Sequence, residues 1–377
     1  MWNQYRARLS RGLLVAGALS LLLFTLLAGC MNSKRDILIG VAWPFSVEND
    51  LFKEGVELAA AEINAAGGIN GRQVRLLEKD DQETVTGGMN VAQSFARTPN
   101  LTAVIGHSVS FISVATANIY ESAGIVMLSP AATSPALTQK GYRYIFRNIP
   151  SDDEIARQLA LYAAKEGHRR MVIYYCDDSY GIGLANSFED HAKEAGIEIA
   201  DRFSYYADAR DLNRLSAKWK ALDFDGIFVA HYMPDGAQFI ADVTQAGIAV
   251  PFLAGDAMDT PELWEVAGQA AEGTVVGTIF NPRSPRAEVQ NFVGNFNKKY
   301  GKMPTSYAAQ GYDALYLLAG AVKEAGSADP GAVAQKLRSF KDRPGVAGFH
   351  TFKENGDDIG DLVVKKVLRN GQFDYIN

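Results

Sequence analysis

The chain has 377 residues, 47% of them hydrophobic and 21% charged, with a formal net charge of −6 and only two cysteines. That length suits about two domains of roughly 150 residues each, and the ordinary balance of apolar and charged residues excludes wholesale disorder. The acidic balance argues against a nucleic-acid partner, which needs a basic face, and Cys30 with Cys176 cannot supply a disulfide framework.

The first thirty residues follow their own grammar. Arg6, Arg8 and Arg11 precede an uncharged apolar run over 12–29 that ends in Leu27-Ala28-Gly29-Cys30. A basic start, an apolar middle and small residues at the end describe a secretory signal, although the run also reaches the length of a membrane span. The ending decides between the two: Leu-Ala-Gly-Cys resembles the lipobox of bacterial lipoproteins, in which the cysteine is lipidated and becomes the mature N-terminus. The expectation is a signal peptide over 1–29, export, and attachment to a membrane through lipidated Cys30. Loss of the three arginines takes the mature chain to −9.

From Asp36 onward, short apolar runs alternate with amphipathic stretches. Strands are expected over 37–42, 74–77, 102–105, 125–128 and 144–146. Between them Phe52, Val56, Ala59 and Ile63 recur at helical spacing up to Gly67-Gly68, and 85–97 reads as a second helix. Ser151 with Glu154 three residues on predicts a capping box opening a helix that ends at Gly167. The rhythm then restarts, with strands over 171–175, 197–203, 227–230, 252–253 and 275–279 and helices over 184–195, 212–222 and 237–246. Such alternation predicts an α/β protein with parallel sheets, in two similar lobes. Three helices follow, over 287–300, 307–325 and 330–340, and a closing hairpin over 362–376 turns at Asn370-Gly371. Asn148-Ile149-Pro150, Asn281-Pro282 and 345–348 are the candidate crossings between lobes.

Several familiar signatures nearly occur. Tyr180-Gly181-Ile182-Gly183 opens a helix after a strand, but Asn186 stands where a dinucleotide fingerprint has its third glycine. Gly106-His107-Ser108-Val109-Ser110 lacks the last glycine of a nucleophile elbow. The five histidines show no metal-ligand spacing, and the Asp80-Asp81 and Asp177-Asp178 pairs at strand ends read as loop caps. No enzyme, metal or cofactor emerges from these residues. Two strand-to-helix corners carry small hydroxyls instead, at Ser108 to Ser110 and along Ser129-Pro130-Ala131-Ala132-Thr133. A helix N-terminus beyond a strand's carboxyl end suits an anion, while plain N-capping accounts for each corner alone.

Glu62-Ile63-Asn64-Ala65-Ala66-Gly67-Gly68-Ile69-Asn70-Gly71-Arg72, the Ser-Pro-Ala-Ala-Thr run from Ser129 and the stretch Asp178 to Gly183 together resemble the branched-chain amino-acid type of periplasmic binding protein. The likeness spans essentially the whole mature chain. It implies the type I architecture, two Rossmann-like lobes with parallel sheets joined by three hinge crossings, closing on a ligand for an ABC importer. The implied lobes are 36–149 plus 281–347 and 150–280 plus 348–377. The resemblance also places a ligand carboxylate on Ser110, the main chain of Ala131, and Thr133, and an α-ammonium on Asp256. Tyr180 and Tyr232 would close over the ligand from the second lobe, Asp152 would support it from the hinge, and Tyr307 would line the side-chain pocket. One loop departs from the family: Trp43-Pro44-Phe45-Ser46 replaces a glycine-bearing, ligand-facing segment, so that Trp43 reshapes the side-chain pocket. The implied ligand is an amino acid, apolar or aromatic. The alternatives are another small carboxylate or amide, such as an aromatic acid, or a sensory role with a membrane partner in place of the importer's permease.

Overall fold

A computed structural model describes residues 35–47, 50–206, 209–360 and 363–376; the expected signal peptide over 1–29 and Cys30 lie outside them. Strand β1 (Ile37–Trp43) is apolar and buried along nearly its whole length, as a parallel strand covered on both faces must be. It lies inside a five-stranded parallel sheet with β2 (Val74–Asp80), β3 (Leu101–Ile105), β4 (Val126–Ser129) and β5 (Ile145–Arg147), in the order β2-β1-β3-β4-β5. Helices α1 (Phe52–Ala65), α2 (Val85–Ala96) and α3 (Ser110–Ala123) connect these strands.

The second sheet repeats the plan. β6 (Arg170–Tyr175), β7 (Glu198–Phe203), β8 (Gly226–Ala230), β9 (Phe252–Ala254) and β10 (Val275–Thr278) run parallel in the order β7-β6-β8-β9-β10. The intervening helices are α4 (Asp152–Lys165), α5 (Ser179–Glu194), α6 (Ala209–Leu222), α7 (Asp235–Gln245) and α8 (Glu262–Ala267), with α4 leading into β6. Beyond β10 the sheet gains an antiparallel hairpin, β13 (Val364–Arg369) and β14 (Gln372–Ile376). Asn370 and Gly371 turn it with φ of 48° and 73°, the left-handed pair that a two-residue hairpin loop demands. The two-lobed α/β reading therefore holds, and the two parallel sheets share one strand order.

Helices α9 (Ala287–Tyr300), α10 (Ser306–Ala325) and α11 (Pro330–Arg338) return to the first lobe. α10 packs along α1, and Leu318, Val333 and Leu337 join Ile39, Val56 and Val126 in one buried cluster.

Two expectations need correction. Ser151 does stand at the N-cap of α4, but its side chain makes no capping bond, and Glu154 turns to Arg157 and Gln158 instead. The return to the second sheet also comes later than residues 345–348. Those residues form a tight turn closed by Gly345 N–H to the Gly348 carbonyl, between the short paired strands β11 (Arg343–Pro344) and β12 (Phe349–His350). Asp313 of α10 accepts the N–H groups of Val346 and Ala347 and faces His350, which also meets Asp358 at 2.5 Å. Phe352 lies in the first lobe's core, and buried Arg147 of β5 pairs with Asp357 at 2.9 Å. Residues 348–360 thus belong with the first sheet, and the third crossing follows residue 360.

Candidate functional site

In a doubly wound sheet, ligand sites form beyond the carboxyl ends of the strands, and the expected residues gather there from both sheets. Trp43 ends β1; Ser110 follows β3, and Ala131 and Thr133 follow β4. Tyr180 follows β6, Tyr232 follows β8 and Asp256 follows β9, while Tyr307 occupies the first turn of α10. Between the two sets lies a cavity of about 520 Å³ whose wall includes Trp43, Ser110, Ala131, Tyr180, Tyr232, Asp256 and Tyr307. Thr133 and Asp152 do not reach that wall. Both are fully buried just behind it, where the Asp152 N–H donates to the Thr133 carbonyl at 2.9 Å.

The first-lobe side of the wall is made of hydroxyls and a helix start. Val109 is the N-cap of α3 and Ser110 its first residue, and no side chain caps that end. The buried Ser110 hydroxyl accepts from Ser134 N–H at 3.2 Å, which ties the β3 and β4 corners together. The hydroxyls of Ser108 and Thr133 are buried and make no hydrogen bond of normal geometry among the described residues. Behind this corner His107 meets Asp81 at 2.5 Å and the Tyr120 hydroxyl at 3.2 Å, all three buried. Asp81 is thus a buried partner of His107 as well as the loop cap that its place at the strand end suggested. Its other oxygen accepts Glu83 N–H, and Glu83 in turn lines the cavity.

The second-lobe side is built differently. Asp178 caps α5 by accepting from Tyr180 N–H and Gly181 N–H, which sets the Tyr180 ring against Tyr232 with centroids 4.9 Å apart. The Tyr180 hydroxyl donates to Asp256 at 3.2 Å and accepts from Ala257 N–H. Gly255 makes that approach possible, because a Cβ there would stand 2.5 Å from the Tyr180 hydroxyl. A third wall is aromatic: Trp43 stacks on Phe52 at 3.7 Å, meets Tyr307 edge-on at 6.1 Å, and donates its indole N–H to Asp50 at 3.0 Å.

The chain matches the model of the family described as periplasmic binding protein over residues 39–372. It belongs to that family. Among solved structures it is similar to an ABC transporter substrate-binding protein from Desulfitobacterium hafniense in complex with Leu, at 51% identity and a TM-score of 0.85, covering 91% of this chain and all of that one. A leucine-binding protein from Thermotoga maritima gives 29% identity and a TM-score of 0.82, covering 90% and 98%. Among curated relatives, Leu/Ile/Val-binding protein homolog 1 of Brucella suis is 30% identical over 90% of this chain and 93% of its own length.

The electrostatics of this periplasmic binding protein are concentrated in two buried carboxyls. Burial pushes Asp256 up to about 6, against the opposing pull of the Tyr180 hydroxyl and nearby N–H groups. Asp152 is pushed well above the usual carboxylate range by burial, with the Thr133 hydroxyl and Arg147 acting in the other direction and the Asp256 charge adding to the rise. Neither Asp152 oxygen has a hydrogen bond of normal geometry.

Sequence reasoning missed Asp259, Met233 and Lys302 on the cavity wall. Asp259 pairs with Lys366 of β13, and accepts from Thr278 and, at 2.6 Å, from Ser306 at the start of α10. The aspartate in the Gly255-to-Asp259 loop was visible; its partners lie 19, 47 and 107 residues away, beyond the reach of any local pattern. Among the described residues, no group of His, Cys, Asp and Glu is placed to hold a metal ion. Cys176 is a buried free thiol whose ionisation is pushed up by burial and by Asp178.

Proposed function

We propose that this periplasmic binding protein is an extracytoplasmic receptor that captures an amino acid, apolar or aromatic, and hands it to the permease of an ABC importer. The observation that carries this reading is the opposed polarity of the cavity. One wall offers hydroxyls and the open N-terminus of a 14-residue helix; the facing wall offers the carboxylate of Asp256. A free carboxylate suits the first and an ammonium group the second, so a zwitterion satisfies both at once.

In this arrangement Ser110, the Ala131 main chain and Thr133 hold the α-carboxylate, with Thr133 reached as the lobes close. Asp256, steadied by Tyr180, holds the α-ammonium, and Tyr232 covers it. Asp152 supports Thr133 from the first hinge crossing. Trp43 and Tyr307 face the ligand's side chain, and the fixed indole favours apolar or aromatic groups of limited size. The relatives point the same way: the Desulfitobacterium protein was crystallised with Leu, and the Brucella protein is named for Leu, Ile and Val.

The test is a competition titration of L-leucine against 4-methylpentanoate, its deaminated counterpart. Leucine binding with poor competition by the acid is the expected result. Equal binding of both would leave Asp256 without a partner and shift the ligand class to simple carboxylates.

The same reading includes attachment to a membrane through acylated Cys30. Cys30→Ser is expected to release the exported protein from the detergent phase, because stable anchoring of a chain at −9 rests on the acyl groups. An exported Cys30→Ser protein that still fractionates with membrane would show that residues 12–29 span it.

A further inference from the structure

The second lobe bears on the first just behind the cavity wall. Helix α5 starts beside the site and lies against α3 and the short turn Pro135–Leu137, both of the first lobe. At the centre of that joint stands Gly183. A Cβ on it would stand 2.9 Å from an Asp152 carboxylate oxygen, 3.3 Å from Cδ of Pro135 and 3.6 Å from the Ser134 hydroxyl. The first distance is shorter than real side chains tolerate, and the second is tight against a ring that cannot rotate away. Asp152 has little room to yield, since it is fully buried beside Thr133 at the first crossing.

Glycine is a poor choice for the inside of a helix, where alanine is preferred. Nothing within α5 itself asks for it, as Gly183 has a helical backbone outside the left-handed region. The neighbours that exclude a side chain are Asp152, at the start of α4 in the same lobe beside the first crossing, and the Ser134-Pro135 turn of the opposite lobe.

We propose that Gly183 is a positioning residue for lobe closure: its missing Cβ is the clearance that lets the start of α5 seat on the Ser134-Pro135 turn. The inference rests on the reading that the lobes close over an amino acid. Seating α5 brings Tyr180, three residues earlier on the same helix, and Asp256, to which it donates, toward the Ser110 corner. A side chain at 183 acts as a wedge that disfavours the closed state without touching the ligand.

The test uses Gly183→Ala and Gly183→Leu, both better helix formers than glycine. L-leucine affinity, dissociation rate, unliganded melting temperature, and the ligand-induced drop in radius of gyration are measured for each and for the native protein. A wedge that lowers the closed population tenfold weakens apparent affinity by about tenfold, so Gly183→Ala is expected to lose about tenfold and Gly183→Leu more. The loss should appear mainly as faster dissociation, with reduced compaction and a melting temperature no lower than native. Native affinity and compaction in both variants would overturn the inference. So would a fall in melting temperature that accompanies the loss of affinity, since that marks an ordinary packing position. If the native protein neither binds nor compacts with leucine or any other amino acid, the amino-acid reading itself fails and the inference falls with it.

Discussion

The two walls of the cleft come from the same strand order, yet carry opposite chemistry. In the first lobe the strand-to-helix corners present hydroxyls and the uncapped start of α3. In the second, the start of α5 is already capped by Asp178, and the corner presents phenols and a carboxylate. The Asp178 carboxylate takes up two of the N–H groups at the start of α5 and adds a negative charge there, so the second lobe is ill suited to a carboxylate by the same device that positions Tyr180. The difference teaches how a duplicated scaffold makes a directional site: the topology fixes where the loops converge, and capping chemistry fixes which pole each wall receives.

The hardest way to break this contrast is to remove its negative pole. Asp256→Asn keeps the shape and the Tyr180 contact but leaves a ligand ammonium unmatched in a closed cleft. Losing one partner of a buried charge pair costs roughly 2–5 kcal/mol, so leucine affinity should fall about 30-fold or more by calorimetry. A smaller loss than tenfold would mean that the ammonium lies elsewhere.

The positive pole is spread over several donors, so each single change should cost less. A hydrogen bond to a charged group contributes on the order of 1.5–3 kcal/mol, and Ser110→Ala and Thr133→Ala should each weaken leucine binding by roughly tenfold. Ser110 also accepts from Ser134 N–H, so its variant should lose some stability as well, whereas the Thr133 hydroxyl, which makes no hydrogen bond of normal geometry, should be lost with less change in melting temperature. Unchanged affinity together with a large melting shift in both would reduce the corners to ordinary structural bonds.

The contrast was partly legible in the sequence. The alternation of strands and helices, lobe duplication and the hydroxyl corners follow from local signals: period, apolar runs and turn residues. Asp256 entered through family likeness, and its environment did not, because Gly255 and Tyr180 meet only in the folded lobe. The misplaced third crossing has the same origin. Gly345 to Gly348 reads locally as a linker, but the fold uses it as a turn held by Asp313, 33 residues earlier. Ser151 and Glu154 have the right spacing for mutual capping, and Arg157 and Gln158 compete successfully for the glutamate. Local patterns located the elements; partners distant in sequence determined what the polar side chains do.

Tyr180→Phe sharpens the comparison by removing the phenol that distinguishes the second wall while keeping the ring against Tyr232. It should weaken leucine binding by about fivefold at pH 7, near 1 kcal/mol, the usual net worth of a hydrogen bond. The hydroxyl holds the Asp256 carboxylate in its charged form, so its loss should also move the pH midpoint of binding upward. An unmoved midpoint would separate Tyr180 from the charge of the site.

The smallest effect is the one that native protein shows without any substitution. Burial pushes Asp256 up to about 6, so the free site holds a mixture of protonated and ionised carboxyl near that pH. A ligand ammonium favours the ionised form, and binding therefore expels a proton whenever Asp256 carries one. Affinity should be flat above pH 7, fall about twofold by pH 6, and approach a tenfold loss per pH unit below pH 5, the slope of a single linked proton. Neither pole of the leucine ligand titrates in this window, and the hydroxyls and main-chain groups of the Ser110 corner do not ionise there. Glu83 on the wall and Asp152 behind it are the other carboxyls near the site, so the variant at Asp256 decides which group the fall reports. Calorimetry in two buffers of different ionisation enthalpy should count up to one proton released at pH 5.5 and close to none at pH 8. Asp256→Asn should abolish both the release and the pH slope, and a slope that survives in that variant would assign the titration to another group.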